Sequence, residues 1–134
     1  MNEELEALAR VAVDCGFKLH EALGPGLLES VYEACMFASL AERGFFVERQ
    51  KPIPVEFNGV ALDEGFRADL LVERQLLIEL KSTEGFAPVH GKQVLTYLRL
   101  MNLQLGLLMN FGAPTFKQGV RRIANDYFRD RPSS

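Results

Sequence analysis

The apolar positions of the chain change period in a fixed order, and each change predicts an element. Leu5, Leu8, Ala12, Cys15 and Leu19 recur at helical spacing, which predicts an amphipathic helix from about Glu3 to Leu23. Gly24, Pro25 and Gly26 stop it, because neither residue type sustains a helix interior. A second helix is expected from about Leu27 to Arg43, with Gly44 as its natural C-terminal cap. From Phe46 the period becomes two. The run to Phe57 reads as a strand whose middle, carrying Pro52 and Pro54, belongs at a sheet edge or a bulge. Asn58-Gly59 gives a hairpin turn, and "VALDEGF" leads into the next strand.

Two further strands, Phe66 to Val72 and Gln75 to Ser82, are joined by a very tight turn near Arg74. A third helix is expected over "PVHGKQVLTYLRLMN", with Pro88 near its start and Val94, Leu95, Leu98 and Met101 on its apolar side. "QLGLLMNF" is a strand ended by Gly112 to Pro114, and "FKQGVRRIAN" is a short last strand or an irregular return. No repeat or linker precedes the final "DRPSS". The order α-α-β-β-β-α-β predicts one mixed α/β domain over residues 1–134, its sheet flanked by helices, with a short flexible tail from about 129 to 134.

The run "LLIELKS", Leu76 to Ser82, breaks the apolar logic of a buried strand with Glu79 and Lys81. Charges there cost on the order of several kcal/mol each unless paired, hydrated or bound to a metal. Either they form an ion pair at the sheet rim or they belong to an active site. A three-residue turn centred on Arg74 would set Asp69 opposite Glu79 and Arg67 opposite Lys81, all on one side of the sheet. Opposed residues have Cβ atoms about 4.5–5.5 Å apart, and two carboxylates that close repel unless a cation sits between them. Mg²⁺ accepts carboxylate oxygens and keeps several waters. A two-residue turn would instead send Glu79 to the other face, so the inference depends on register.

Lys81 shares the face of Glu79 and is placed to orient a metal-activated water or to neutralise charge on a phosphate. Gln93 and Tyr97 lie one turn apart on the third helix, where they serve either packing or hydrogen bonding at the same site. His90 lies three residues before Gln93, at the helix start. Glu29 falls in the first turn of the second helix, where the macrodipole favours an anion, and Tyr32 can point the same way.

Net charge limits the partners. The formal charge is −3 with a pI near 5.4, so there is no bulk attraction to nucleic acid. A phosphate-binding surface must be local. Arg49, Lys51, Arg67, Lys92 and Arg99 either form such a rim or are scattered solubilising charges. Cys15 and Cys35 are far apart without Cys-x-x-Cys spacing, which points to buried small residues in a reducing cytoplasm. The acidic, amphipathic start "MNEELEALAR" is unlike a secretory signal, and no apolar run reaches the ~18 residues that cross a bilayer.

Taken together, these motifs resemble the PD-(D/E)XK nuclease superfamily, and within it the small proteins named for a Gly-x-x-Glu-x-x-Tyr motif. "GPGLLESVYE" supplies Gly26, Glu29 and Tyr32; "FRADLLV" with "IELKS" looks like Asp…Glu-x-Lys; "HGKQVLTYL" looks like a helical Gln-x-x-x-Tyr. The resemblance covers about Val11 to Asn125 and departs at Ala68, where the superfamily's name has proline. It implies a restriction-endonuclease-like α-β-β-β-α-β core with an extra N-terminal helix. It also implies Glu29, Asp69 and Glu79 at a Mg²⁺ site, with Mn²⁺ as an alternative ion. Lys81 is then the catalytic lysine, and Gln93 with Tyr97 the auxiliary pair. The implied activity is metal-dependent hydrolysis of DNA or RNA, with no membrane partner. The competing reading is a non-catalytic module that binds nucleic acid or a protein partner on the same fold.

Overall fold

Asn2 begins the first helix: its side-chain oxygen accepts the Leu5 N–H at 2.7 Å, and α1 runs Glu3–Leu23 as expected. The computed structural model describes residues 2–85 and 87–129, without the side chains of Asp63 and Glu64. The expected tail from 129 therefore lies, beyond its first residue, outside the described residues.

The second helix, α2, spans Glu29–Glu42 and starts two residues later than its sequence pattern suggests. The delay has a cause. The Tyr32 hydroxyl donates to the Gly24 carbonyl at 2.5 Å and accepts the Leu27 N–H at 3.2 Å, which holds the "GPGLL" loop extended across the helix start. The Tyr32 ring, fully buried, stacks on Phe111 with centroids 4.4 Å apart.

The described strands form one five-stranded sheet in the order β1-β2-β3-β4-β5: Val47–Phe57, Val60–Val72, Leu76–Lys81, Leu105–Asn110 and Val120–Ala124. Only β3 and β4 are parallel, and helix α3, Pro88–Met101, makes the crossover between them. The last return contains one helical turn, α4 (Phe116–Gly119), before β5. Strand β1 lies at an edge, as its prolines require. Its register shifts between Ile53, opposite Phe66, and Val55, opposite Leu62.

Two cores lie on the two faces of the sheet. Helices α1 and α2 cover Leu70, Val72, Leu76, Ile78, Leu80, Leu105, Leu107 and Met109. Helix α3 covers Ile53, Ala68, Leu77 and Leu108 with Val94, Tyr97 and Leu98. Gly106 permits this close seat, since a Cβ there would come within 2.8 Å of Val94 Cγ1.

The alternation of β1 and β2 is not uniform. Ala68 faces α3, yet Leu70, two residues on, faces α1 and α2; likewise Ile53 faces α3 and Val47 the other core. Both strands change sides at the opposed residues Gln50 and Asp69, where Gln50 adopts a left-handed φ of 50°.

Candidate active site

The β2–β3 turn consists of Glu73, Arg74 and Gln75, and it pairs Val72 with Leu76, Leu71 with Leu77 and Leu70 with Ile78. This is the three-residue register that sets Asp69 opposite Glu79. Backbone pairing stops there and the two carboxyl groups take over. The Asp69 N–H donates to Glu79 Oε1 at 3.0 Å, and the Leu80 N–H donates to Asp69 Oδ2 at 2.8 Å. Strand β3 continues along β4 as far as Lys81, opposite Asn110. The expected alignment of Arg67 with Lys81 is lost, because the change of sides at Asp69 takes Arg67 out of line. Its guanidinium instead donates to the Gln50 carbonyl at 3.3 Å.

Glu79 is 4% exposed. Burial, reinforced by the neighbouring Asp69 charge and only partly opposed by Lys81, pushes its carboxyl up to about 9. Tyr97 on α3 completes the enclosure. Its hydroxyl is pushed up to about 12 by burial and then by the charges of Glu79 and Asp69, while a hydrogen bond with the Gln93 side chain works the other way. The Tyr97 ring packs on Phe66 at 5.0 Å. Asp69, Glu79, Lys81, Gln93 and Tyr97 are thus one neighbourhood built from β2, β3 and α3.

Among the described residues Glu29 does not complete a three-carboxylate metal group with Asp69 and Glu79. Its carboxylate is exposed at the start of α2 and lines an adjoining cleft with Pro25, Gly26, Ser82, Thr83 and Gly112. Ser82 closes that cleft by donating to the Leu27 carbonyl at 2.5 Å. Behind it, buried Asn110 accepts the Thr83 and Gly112 N–H groups at 3.0 Å and donates to the Thr83 carbonyl, also at 3.0 Å. Gly112 is needed there, since a Cβ would collide with the Thr83 backbone.

The α2 carboxylate wired to the site is Glu33, one turn later and 8% exposed. It accepts from Arg49 Nε and Nη2 at 3.2 and 3.1 Å and from Gln50 Nε2, and the same amide nitrogen donates to Asp69 Oδ1 at 3.1 Å. Neither Glu33 nor Gln50 has a sequence signal of its own. His90 lies in the first turn of α3, its Nδ1 buried without a hydrogen-bond partner among the described residues.

Among the described residues, no three His, Cys, Asp or Glu side chains form a ready-made metal cage. Mg²⁺ seldom needs one: it keeps several waters and binds through one or two carboxylates. Asp69 and Glu79 provide two carboxyl groups from facing strands, one neutralised by a proton that a cation would replace. The donor chemistry fits a hard divalent ion.

The sequence profile of the PD-(D/E)XK nuclease superfamily matches residues 6–123. The chain belongs to the PD-(D/E)XK nuclease superfamily. Comparison with curated proteins and with solved structures yields no match. Where the superfamily's name has proline this member has Ala68, fully buried under α3 and next to the point where β2 changes sides. No described helix is long and apolar enough to cross a membrane.

Proposed function

We propose that this superfamily member is a divalent-metal-dependent nuclease that hydrolyses phosphodiester bonds of DNA or RNA. The observation that carries the reading is the Asp69–Glu79 pair, which replaces backbone pairing where β2 and β3 part, with Glu79 buried and neutral. Asp69 and Glu79 would hold Mg²⁺ or Mn²⁺, which when bound supplies an activated water and charge stabilisation at phosphorus. Lys81, beside Glu79 at the end of β3, neutralises charge developing on the phosphate oxygens. Tyr97 and Gln93 keep bulk water from the carboxyl pair and orient the groups they touch. Glu29 acts from the adjoining cleft, on the substrate side. Gly26, Glu29 and Tyr32 further resemble the Gly-x-x-Glu-x-x-Tyr proteins; here Tyr32 locks the loop before α2. The free Cys15 and Cys35 suit a reducing cytoplasm.

A second reading, a non-catalytic binding module, is favoured by one observation. Several candidate rim cations are already engaged: Arg49 with Glu33, Lys51 with Glu48 at 2.7 Å, and Arg99 over the Tyr127 ring at 3.5 Å. Labelled single- and double-stranded DNA and RNA, incubated with Mg²⁺ or Mn²⁺ and either wild type or Lys81→Ala, separate the two. Cleavage by wild type alone supports the nuclease. Equal cleavage by both places the activity elsewhere, and binding without cleavage favours the module.

A further inference from the structure

We propose that Gln50 is a positioning residue, fixing the Asp69 carboxylate by an amide that is itself held by the buried Glu33. The inference deepens the metal-dependent reading above and rests on it for one of its two readouts. Gln50 Nε2 has two hydrogens and two carboxylate acceptors, Glu33 Oε1 and Asp69 Oδ1. Arg49 anchors Glu33 from the other side. Asp69 is thereby gripped at both oxygens, Oδ1 by the Gln50 amide and Oδ2 by the Leu80 N–H. A carboxylate pinned twice has one orientation available, and outer partners of this kind set ligand geometry.

The backbone supports the assignment. Gln50 takes a φ of 50° inside a strand, a conformation that favours glycine or asparagine and burdens a longer side chain. If only the change of sides in β1 mattered, glycine would achieve it without strain. Asparagine tolerates the backbone but is one methylene too short to span from Glu33 to Asp69. A glutamine at this place is explained by its reach. Strained backbone kept beside a reactive group has this pattern.

The test uses the full chain and two variants, Gln50→Gly and Gln50→Asn, both of which ease the backbone and remove the bridge. One readout is Mn²⁺ affinity by calorimetry; the other is the Leu80 amide proton chemical shift in chelator, which reports the hydrogen bond to Asp69 Oδ2. The expected result is Mn²⁺ binding weakened about 10- to 100-fold, a displaced Leu80 amide signal, and amide shifts far from Asp69 left where they are in wild type. Wild-type Mn²⁺ affinity in the variants overturns the proposal, as does an unmoved Leu80 signal. Amide shifts that move throughout the sheet rather than around Leu80 overturn it as well, because Gln50 is then a structural support. If wild type binds no Mn²⁺ yet the Leu80 signal moves in both variants, the metal-dependent reading falls and the positioning of Asp69 stands.

Discussion

The Asp69 backbone N–H donates to the Glu79 carboxyl at 3.0 Å in a place where backbone strands would otherwise pair, and burial makes one proton on Glu79 hard to remove. The unfolded chain gives up that proton near the ordinary carboxylate value, whereas the folded chain keeps it to about 9.

The sign of the pH effect follows. Below the unfolded value both states are protonated and Glu79 carries no penalty. Between that value and about 9 the folded state binds the extra proton, so stability falls as pH rises. Denaturant unfolding in chelator at several pH values should show wild type losing on the order of a few kcal/mol across this window. Glu79→Gln should flatten the slope and be the more stable protein at its alkaline end. Parallel profiles for the two would mean that Glu79 titrates normally.

Metal should compete with that proton. Mn²⁺ or Mg²⁺ affinity is expected to rise with pH toward about 9, with proton release measurable by calorimetry in buffers of different ionisation enthalpy. In thermal melts, saturating metal at a hundredfold excess over Kd should add about 2.7 kcal/mol. Asp69→Asn should lose most of that gain, and in chelator it should melt somewhat lower than wild type, because its amide nitrogen would face either the Leu80 N–H or the Gln50 amide. A variant that is weak in chelator and still gains fully from metal would make Asp69 a structural residue.

Lys81→Ala should lower kcat by about 10²–10³-fold, the usual cost of removing one group that stabilises developing charge. Metal affinity should barely change, because lysine is no ligand. Glu29→Gln, altering a carboxylate in the adjoining cleft, should act mainly on KM. Steady-state kinetics with metal titrations distinguish these outcomes; an equal collapse of metal affinity in Glu29→Gln would return that residue to the metal centre.

Tyr32→Phe keeps the stack on Phe111 and deletes both hydrogen bonds that bind the loop before α2. A loss of about 1–3 kcal/mol is expected from the buried groups left unpaired. Urea unfolding measures it. A neutral result would mean that the Gly24 carbonyl and Leu27 N–H are satisfied by water.

Features governed by near neighbours in the chain are legible in its residues. Period, glycine and proline place α1 to the residue, and the Arg74 turn fixes the register that opposes Asp69 to Glu79. What escapes such reading is set by contacts distant in sequence. Gln50 reads as an ordinary strand residue until Asp69 stands opposite it, and Glu33 reads as a solvent-facing helix residue until Arg49 and Gln50 arrive. Alternation assumes that a strand keeps its faces, so it could not show β2 changing sides or Arg67 leaving Lys81. The single turn of α4 is too short for any helical period to register. Glu29 carries the motif; the burial that selects Glu33 is a property of packing.

The change of sides at Gln50 and Asp69 also divides the β1–β2 ribbon into a fixed base and a free end. The base is clamped twice, by the Arg74 turn and by the Gln50 bridge. Beyond it, past the register shift at Pro54, the hairpin carries the exposed Phe57, Val60 and Leu62. Residues added to or removed from that end leave the spacing of Asp69 to Glu79 untouched, because the count that sets the spacing runs through Arg74. Length and surface chemistry of the hairpin are therefore open to evolutionary drift or to engineering, as a handle that can be reshaped while the lock it is attached to keeps its key.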